Sequence, residues 1–190
     1  MQYKTMRELK KRIGFSKINP HVKFLKSGAG FTLIEVLITM AIIGVMATGL
    51  IIAVNPLVQI QKANDAKRKS DLSSVQKALE TYYQDNGRYP AATSFKIIRL
   101  DGSTADWGSS WQPYMSVLPK DPSVSKKYVY FTSATDGQTY YLYANLERGG
   151  NDSQACFSTG NACSSAVTNG AATACGGNCN YGTSSPNVSP

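Results

Sequence analysis

The sequence predicts an α+β chain in which one long N-terminal helix carries a small antiparallel sheet. Three stretches predict it. Phe31 to Val54 is a run of 24 residues whose single charge is Glu35. Leu72, Val75, Leu79 and Tyr82 recur at i, i+3, i+7 and i+10, which is one face of a helix. YVYFTS and TYYLYANL, residues 128–133 and 139–146, are rich in aromatic and β-branched side chains and flank an Asp136-Gly137 turn.

The apolar run is long enough to cross a bilayer. At ~1.5 Å per residue it spans roughly 36 Å, against about 30 Å of hydrocarbon. An ordinary signal peptide has an apolar stretch of only about 7–15 residues. Glu35, five residues in, is the exception within the run. A carboxylate in lipid costs about 2.5 kcal/mol or more, so an acid there points to a function. Gly44 and Gly49 lie inside the run, where small residues permit close helix approach. Asn55-Pro56 marks a kink or weak point after it.

The chain is basic, with a formal charge of +8, but the charge is not spread evenly. Residues 1–30 carry eight Lys or Arg against one acid, Glu8, so they hold +7 of that total. A basic segment before an apolar span fits the positive-inside rule and places the N-terminus in the cytoplasm. It is not accompanied by a nucleic-acid recognition motif. The only histidine, His21, lies in this segment. A lone histidine excludes His-based catalytic triads and His-ligated zinc from the rest of the chain.

A basic leader ending in Gly30, then Phe31, Thr32, Leu33, Ile34 and Glu35, resembles the processing site of type IV prepilins and of type II secretion pseudopilins. The resemblance implies cleavage between Gly30 and Phe31 by a prepilin peptidase and N-methylation of the new Phe31 amine. It also implies that Glu35 neutralises the amine of a neighbouring subunit during filament assembly. Residues 62–90 resemble the pseudopilins again, with Asp85, Asn86, Tyr89 and Pro90 matching the turn that ends their long helix. Leu118-Pro119-Lys120-Asp121-Pro122 is similar to the segment preceding their sheet. The fold implied is pilin-like: a basic leader (1–30), a long helix (31–86, with 31–54 the span), an α+β head (87–150) and a Cys-containing tail (151–190).

Between the span and the helix's apolar face, Lys62, Asn64, Asp65, Lys67, Arg68, Lys69 and Asp71 read as a solvated polar belt. Asn86-Gly87 supplies a C-cap and Pro90 prevents resumption. Residues 91–127 read as an irregular connector, with Trp107 and Trp111 packed over the helix. In the hairpin, alternation sends Val129 and Phe131 to one face of the first strand; on the second, Tyr140, Leu142, Ala144 and Leu146 share a face and Tyr141 and Tyr143 take the other. A hairpin alone is marginal in water, so its apolar side is expected on the 72–82 face.

From Asn151 onward there is no Lys or Arg and one acid, Asp152. Gly, Ser, Asn, Ala and Thr dominate, a composition too poor in apolar residues to fold alone. Cys156, Cys163, Cys175 and Cys179 all lie here and read as staples. Local pairs, Cys156–Cys163 and Cys175–Cys179, are favoured, but four cysteines allow three pairings and the sequence does not choose. Disulfides persist outside the cytoplasm, in agreement with the orientation of the span. Some major pseudopilins carry a C-terminal calcium loop, and Glu147, Asn151 and Asp152 offer oxygens near that place. Calcium wants six to eight oxygens and carboxylates are sparse here, so no cofactor or metal is assigned.

The functional expectation is a filament subunit, not an enzyme: no catalytic constellation is present. The expected partners are identical subunits, a prepilin peptidase, an inner-membrane assembly platform and, before extraction, membrane lipid. The expected location is the cytoplasmic membrane, single-pass, with the head in a periplasmic or cell-surface filament. Within that class a secretion pseudopilin competes with a type IV pilus or competence pilin; nucleic acid enters only on the competence reading. The competing class is a membrane-anchored extracytoplasmic binding module or enzyme that keeps its leader.

Overall fold

A computed structural model describes residues 30–133 and 135–190; the rest of the basic leader, with His21, lies outside the described residues. The chain divides into two units between Thr48 and Gly49.

Helix α1 (Leu33–Val54) begins at Thr32, whose carbonyl and hydroxyl oxygens both accept the Glu35 N–H, at 3.1 and 3.3 Å. This satisfies an otherwise orphaned donor of the first turn. The hydroxyls of Thr39 and Thr48 donate back to the carbonyls of Val36 and Gly44, each at 2.9 Å. These side chains are therefore satisfied within the helix, as apolar surroundings demand. Every residue from Gly30 to Ile51 is exposed. A helix apolar on all sides and covered by none of the described residues is built to be covered by something else.

Helix α1 ends at Asn55, which takes a left-handed φ of +45° that Asn tolerates better than most residues. Helix α2 (Pro56–Asn86) follows, with proline in its first turn where a missing N–H costs little. It stops on Gly87, at φ +68°, whose N–H donates to the Tyr83 carbonyl at 2.8 Å. Its buried stripe is Asp65, Arg68, Leu72, Val75, Leu79 and Tyr82, with Ala78 beside it. The last four are the face that periodicity selects. The first two correct the reading of residues 62–71 as a wholly solvated belt, since Asp65 is 3% and Arg68 0% exposed.

The stretch 91–127 is more ordered than its composition suggests. It contains a small antiparallel sheet of β1 (Ala92–Thr93), β2 (Lys96–Ile98) and β3 (Thr104–Ala105), in that order. Ser94 and Phe95 form the tight β1–β2 turn with φ of +48° and +62°. This is the handedness a two-residue hairpin prefers, here without the usual Asn-Gly. Trp111 is buried and stacks on Tyr82, with centroids 5.9 Å apart, while Trp107 meets Tyr128 edge-on at 5.5 Å.

The hairpin is present as β4 (Val129–Thr132) and β5 (Tyr140–Ala144), with Tyr130 opposite Leu142 and Phe131 opposite Tyr141. A third strand, β6 (Tyr181–Ser184), comes from the C-terminal segment and pairs along the other edge of β5. One face of this sheet, carrying Tyr130, Tyr140, Leu142 and Ala144, packs with the α2 stripe. The other, carrying Val129 and Tyr143, is covered by Cys163, Ala166, Ala171, Cys175 and Cys179. The short helix α3 (Ser164–Thr168) belongs to that cover.

The C-terminal segment is held in place covalently and sterically. Its disulfides are Cys156–Cys163 and Cys175–Cys179, the local pairing. Inside the second loop, Gly176 and Gly177 have positive φ of +78° and +148°; a Cβ on the first would collide with the Ser125 carbonyl, and on the second with the Asn145 amide. Only glycine lets this loop come so close. Asn180, buried, accepts the Leu146 N–H at 2.8 Å and donates to the Leu146 carbonyl at 3.1 Å, imitating a strand partner.

Candidate processing site and a buried charge cluster

The six residues Gly30 to Glu35 form the entry to α1. Gly30 is exposed, with open space where a Cβ would stand, and Phe31 is 81% exposed. Both are accessible to another protein in the isolated chain. Glu35 lies in the first turn, where the positive end of the helix dipole favours a carboxylate. Among the described residues it has no salt-bridge partner.

A second charged feature lies in the head, and residue-by-residue reading missed it. The Arg68 guanidinium donates from Nε and Nη2 to the two oxygens of Asp121, at 2.8 and 2.9 Å. Its Nη1 donates to Asp65 at 2.8 Å, and Nη2 lies 3.0 Å from Glu147. Asp65 also accepts the N–H groups of Glu147 and Arg148, at 2.8 and 2.9 Å. One arginine thus ties α2 to Asp121, in the Leu118–Pro122 segment, and to the chain leaving β5. Burial opposes its charge, but the bonds from Asp121, Asp65 and Glu147 outweigh burial and raise its pKa. A buried guanidinium is tolerable only when its donors are satisfied in this way. A signal was available: residues 65 and 68 continue the three-and-four spacing of 72, 75, 79 and 82 one step earlier.

Further along α2, acids meet phenols of the head. Asp71 accepts the Tyr128 hydroxyl at 2.7 Å, and Glu80 accepts those of Tyr89 and Tyr140 at 3.0 and 3.1 Å. Burial, with these neighbouring carboxylates, pushes the pKa of all three phenols up. Such groups are fixed as neutral donors. Their hydrogen bonds tie α2 to the segments packed on it.

The two carboxylates considered for calcium are engaged by the chain itself. Glu147 faces Arg68 and accepts from Asn64 at 3.3 Å. Asp152 accepts the Lys69 ammonium at 2.6 Å and the Gln154 N–H at 2.9 Å.

A lone apolar helix with an acid in its first turn, followed by a helix that carries a three-stranded sheet, defines a pilin-like filament subunit. The family model for type II secretion system protein G matches residues 55–161, and the prokaryotic N-terminal methylation motif matches residues 25–51. The chain belongs to the protein G family of type II secretion systems, whose members are structural pseudopilins and not enzymes. It is 32% identical to the type II secretion system core protein G of Klebsiella pneumoniae over 96 residues, covering 49% of this chain and 67% of that one. To the core protein G of Vibrio cholerae it is 28% identical over 133 residues, 68% of this chain and 89% of that one. To that of Pectobacterium carotovorum it is 39% identical over 96 residues, 49% and 60% of the two chains. No solved structure matches the chain significantly. Family and apolar helix together make it a membrane-anchored subunit with an extracytoplasmic head.

Proposed function

We propose that this chain is a precursor cut between Gly30 and Phe31 by a prepilin peptidase, N-methylated on Phe31, and polymerised with identical copies into a secretion pseudopilus. The leader's +7 charge keeps the N-terminus in the cytoplasm. Before assembly α1 is solvated by lipid, and an inner-membrane platform then draws the subunit into the filament. Lipid and filament core are both apolar, so burial of α1 favours neither strongly. An ion pair does discriminate: the Phe31 amine of one subunit and the Glu35 carboxylate of its neighbour can neutralise each other only when the two are aligned.

The observation that carries this reading is Glu35: a carboxylate in the first turn of a helix exposed along its described length, without an ionic partner among the described residues. Intact mass and N-terminal sequencing of the membrane-extracted protein from its native host test it. The expected product starts at N-methyl-Phe31. An intact Met1 in a host with an active peptidase overturns the reading and favours an anchored ectodomain. Gly30→Leu is expected to leave the leader attached, because only a very small side chain suits the cleavage position that the family implies.

A further inference from the structure

The calcium loop that the family suggests does not fit the residues present. Calcium needs six to eight oxygens at roughly 2.3–2.6 Å. Among the described residues, no group of three or more His, Cys, Asp or Glu side chains is placed to hold a metal ion. The carboxylates nearest the expected position, Glu147 and Asp152, are each bound to a cationic side chain rooted in α2. The cleft of about 230 Å³ between α2 and residues 148–152 is lined by Lys62, Lys69 and Arg148 against Asp65 and Asp152. Asp65 is already saturated by Arg68 and two backbone N–H groups. A divalent cation entering there would meet more positive than negative charge and would have to expel an ammonium.

That ammonium is placed as a bound cation would be. Lys69 Nζ donates to Asp152 Oδ2 at 2.6 Å and to Gln154 Oε1 at 2.9 Å, and it lies 5.6 Å from the centroid of the Tyr181 ring. It therefore touches two points of the 149–155 loop and the first residue of β6. One residue earlier on the same helix, Arg68 holds Glu147, where that loop begins. Lys126 adds a third cation nearby, donating to the carbonyl and side-chain oxygens of Asn145 at 3.2 and 3.3 Å.

We propose that this subunit fastens its C-terminal loop to α2 with its own cations, Lys69 and Arg68, in place of a divalent metal, so that its head folds and stays closed independently of calcium. A tethered ammonium cannot be stripped by dilution or chelation, which would free the subunit from the calcium level outside the cytoplasm. The inference concerns the head alone and stands whether or not Phe31 is processed.

The test uses the full chain in detergent micelles. Thermal unfolding and chymotryptic cleavage after the exposed Phe157 are followed in millimolar calcium and in excess EDTA. The wild type is expected to give the same midpoint and the same cleavage rate in both. Lys69→Ala is expected to speed cleavage at Phe157 several-fold, and Lys69→Arg to restore most of the protection. Calcium that raises the wild-type midpoint or slows its cleavage overturns the proposal. So does a Lys69→Ala protein as resistant as the wild type.

Discussion

Glu35 and Arg68 are both charged residues on apolar helical faces, and the molecule treats them in opposite ways. Arg68 is buried, and its three partners, Asp65, Asp121 and Glu147, come from within the same chain. Glu35 is exposed on α1 and has no such partner among the described residues. The difference separates two uses of one physical rule. A charge removed from water must be paired. When the partner is internal the pair specifies a fold; in the proposed role of Glu35 the partner comes from a neighbouring subunit and the pair specifies an assembly.

Breaking the internal pair has the largest expected effect on stability. Arg68→Ala leaves Asp65, Asp121 and Glu147 facing one another without their cation. Removing one partner of a buried pair costs about 3–5 kcal/mol, so urea unfolding should show a much lower midpoint or no folded head. A wild-type midpoint would mean that the carboxylates reach water in solution.

Removing the staple opposite should cost less. The double change Cys175→Ser and Cys179→Ser opens a short loop, and chain entropy puts the loss at about 2 kcal/mol. The same urea titration measures it, and reducing agent, which also opens Cys156–Cys163, should lower the wild-type midpoint further.

A graded effect should appear at high pH. Burial pushes the Tyr143 phenol up to about 12. Because its folded value lies above the ordinary one near 10, the neutral form is favoured in the fold. Its contribution is fully present below about pH 10 and is lost as pH rises through about 12. Tyr89, Tyr128 and Tyr140 shift in the same direction. Circular dichroism across that window should show cooperative alkaline unfolding. Titration of these four phenols near pH 10 in a still-folded head would contradict their burial.

The smallest expected effect on stability belongs to Glu35→Ala, and it sharpens the contrast most. The head should unfold at the wild-type midpoint, since Glu35 is exposed and the described core of the head runs from Leu72 to Ala144. Filament yield should collapse while membrane insertion persists. Normal filaments from this variant would remove Glu35 from the assembly mechanism.

Much of this architecture was legible in the sequence because long periodic signals survive without tertiary context. The apolar run and its acid, the face from Leu72 to Tyr82, the cap at Gly87 and the aromatic hairpin all depend on contiguous residues. The motif around Gly30 and Phe31 was equally local. Strands of two or three residues such as β1, β2 and β3 are too short to show alternation. The strand Tyr181–Ser184 has no apolar pattern of its own and exists because β5 offers it a free edge.

The charge run from Lys62 to Asp71 marks the boundary between the two kinds of information. Sequence alone determined that this stretch is helical and polar, and that an apolar span precedes it. Only the tertiary structure decided which of its charges face water. Lys67 remains on the surface, Lys69 reaches Asp152, and Arg68 disappears beneath Asp121 and Glu147. Those partners lie more than fifty residues away along the chain. Helical periodicity can place a residue on a face. Whether a charge on that face is buried depends on what a distant segment brings to meet it.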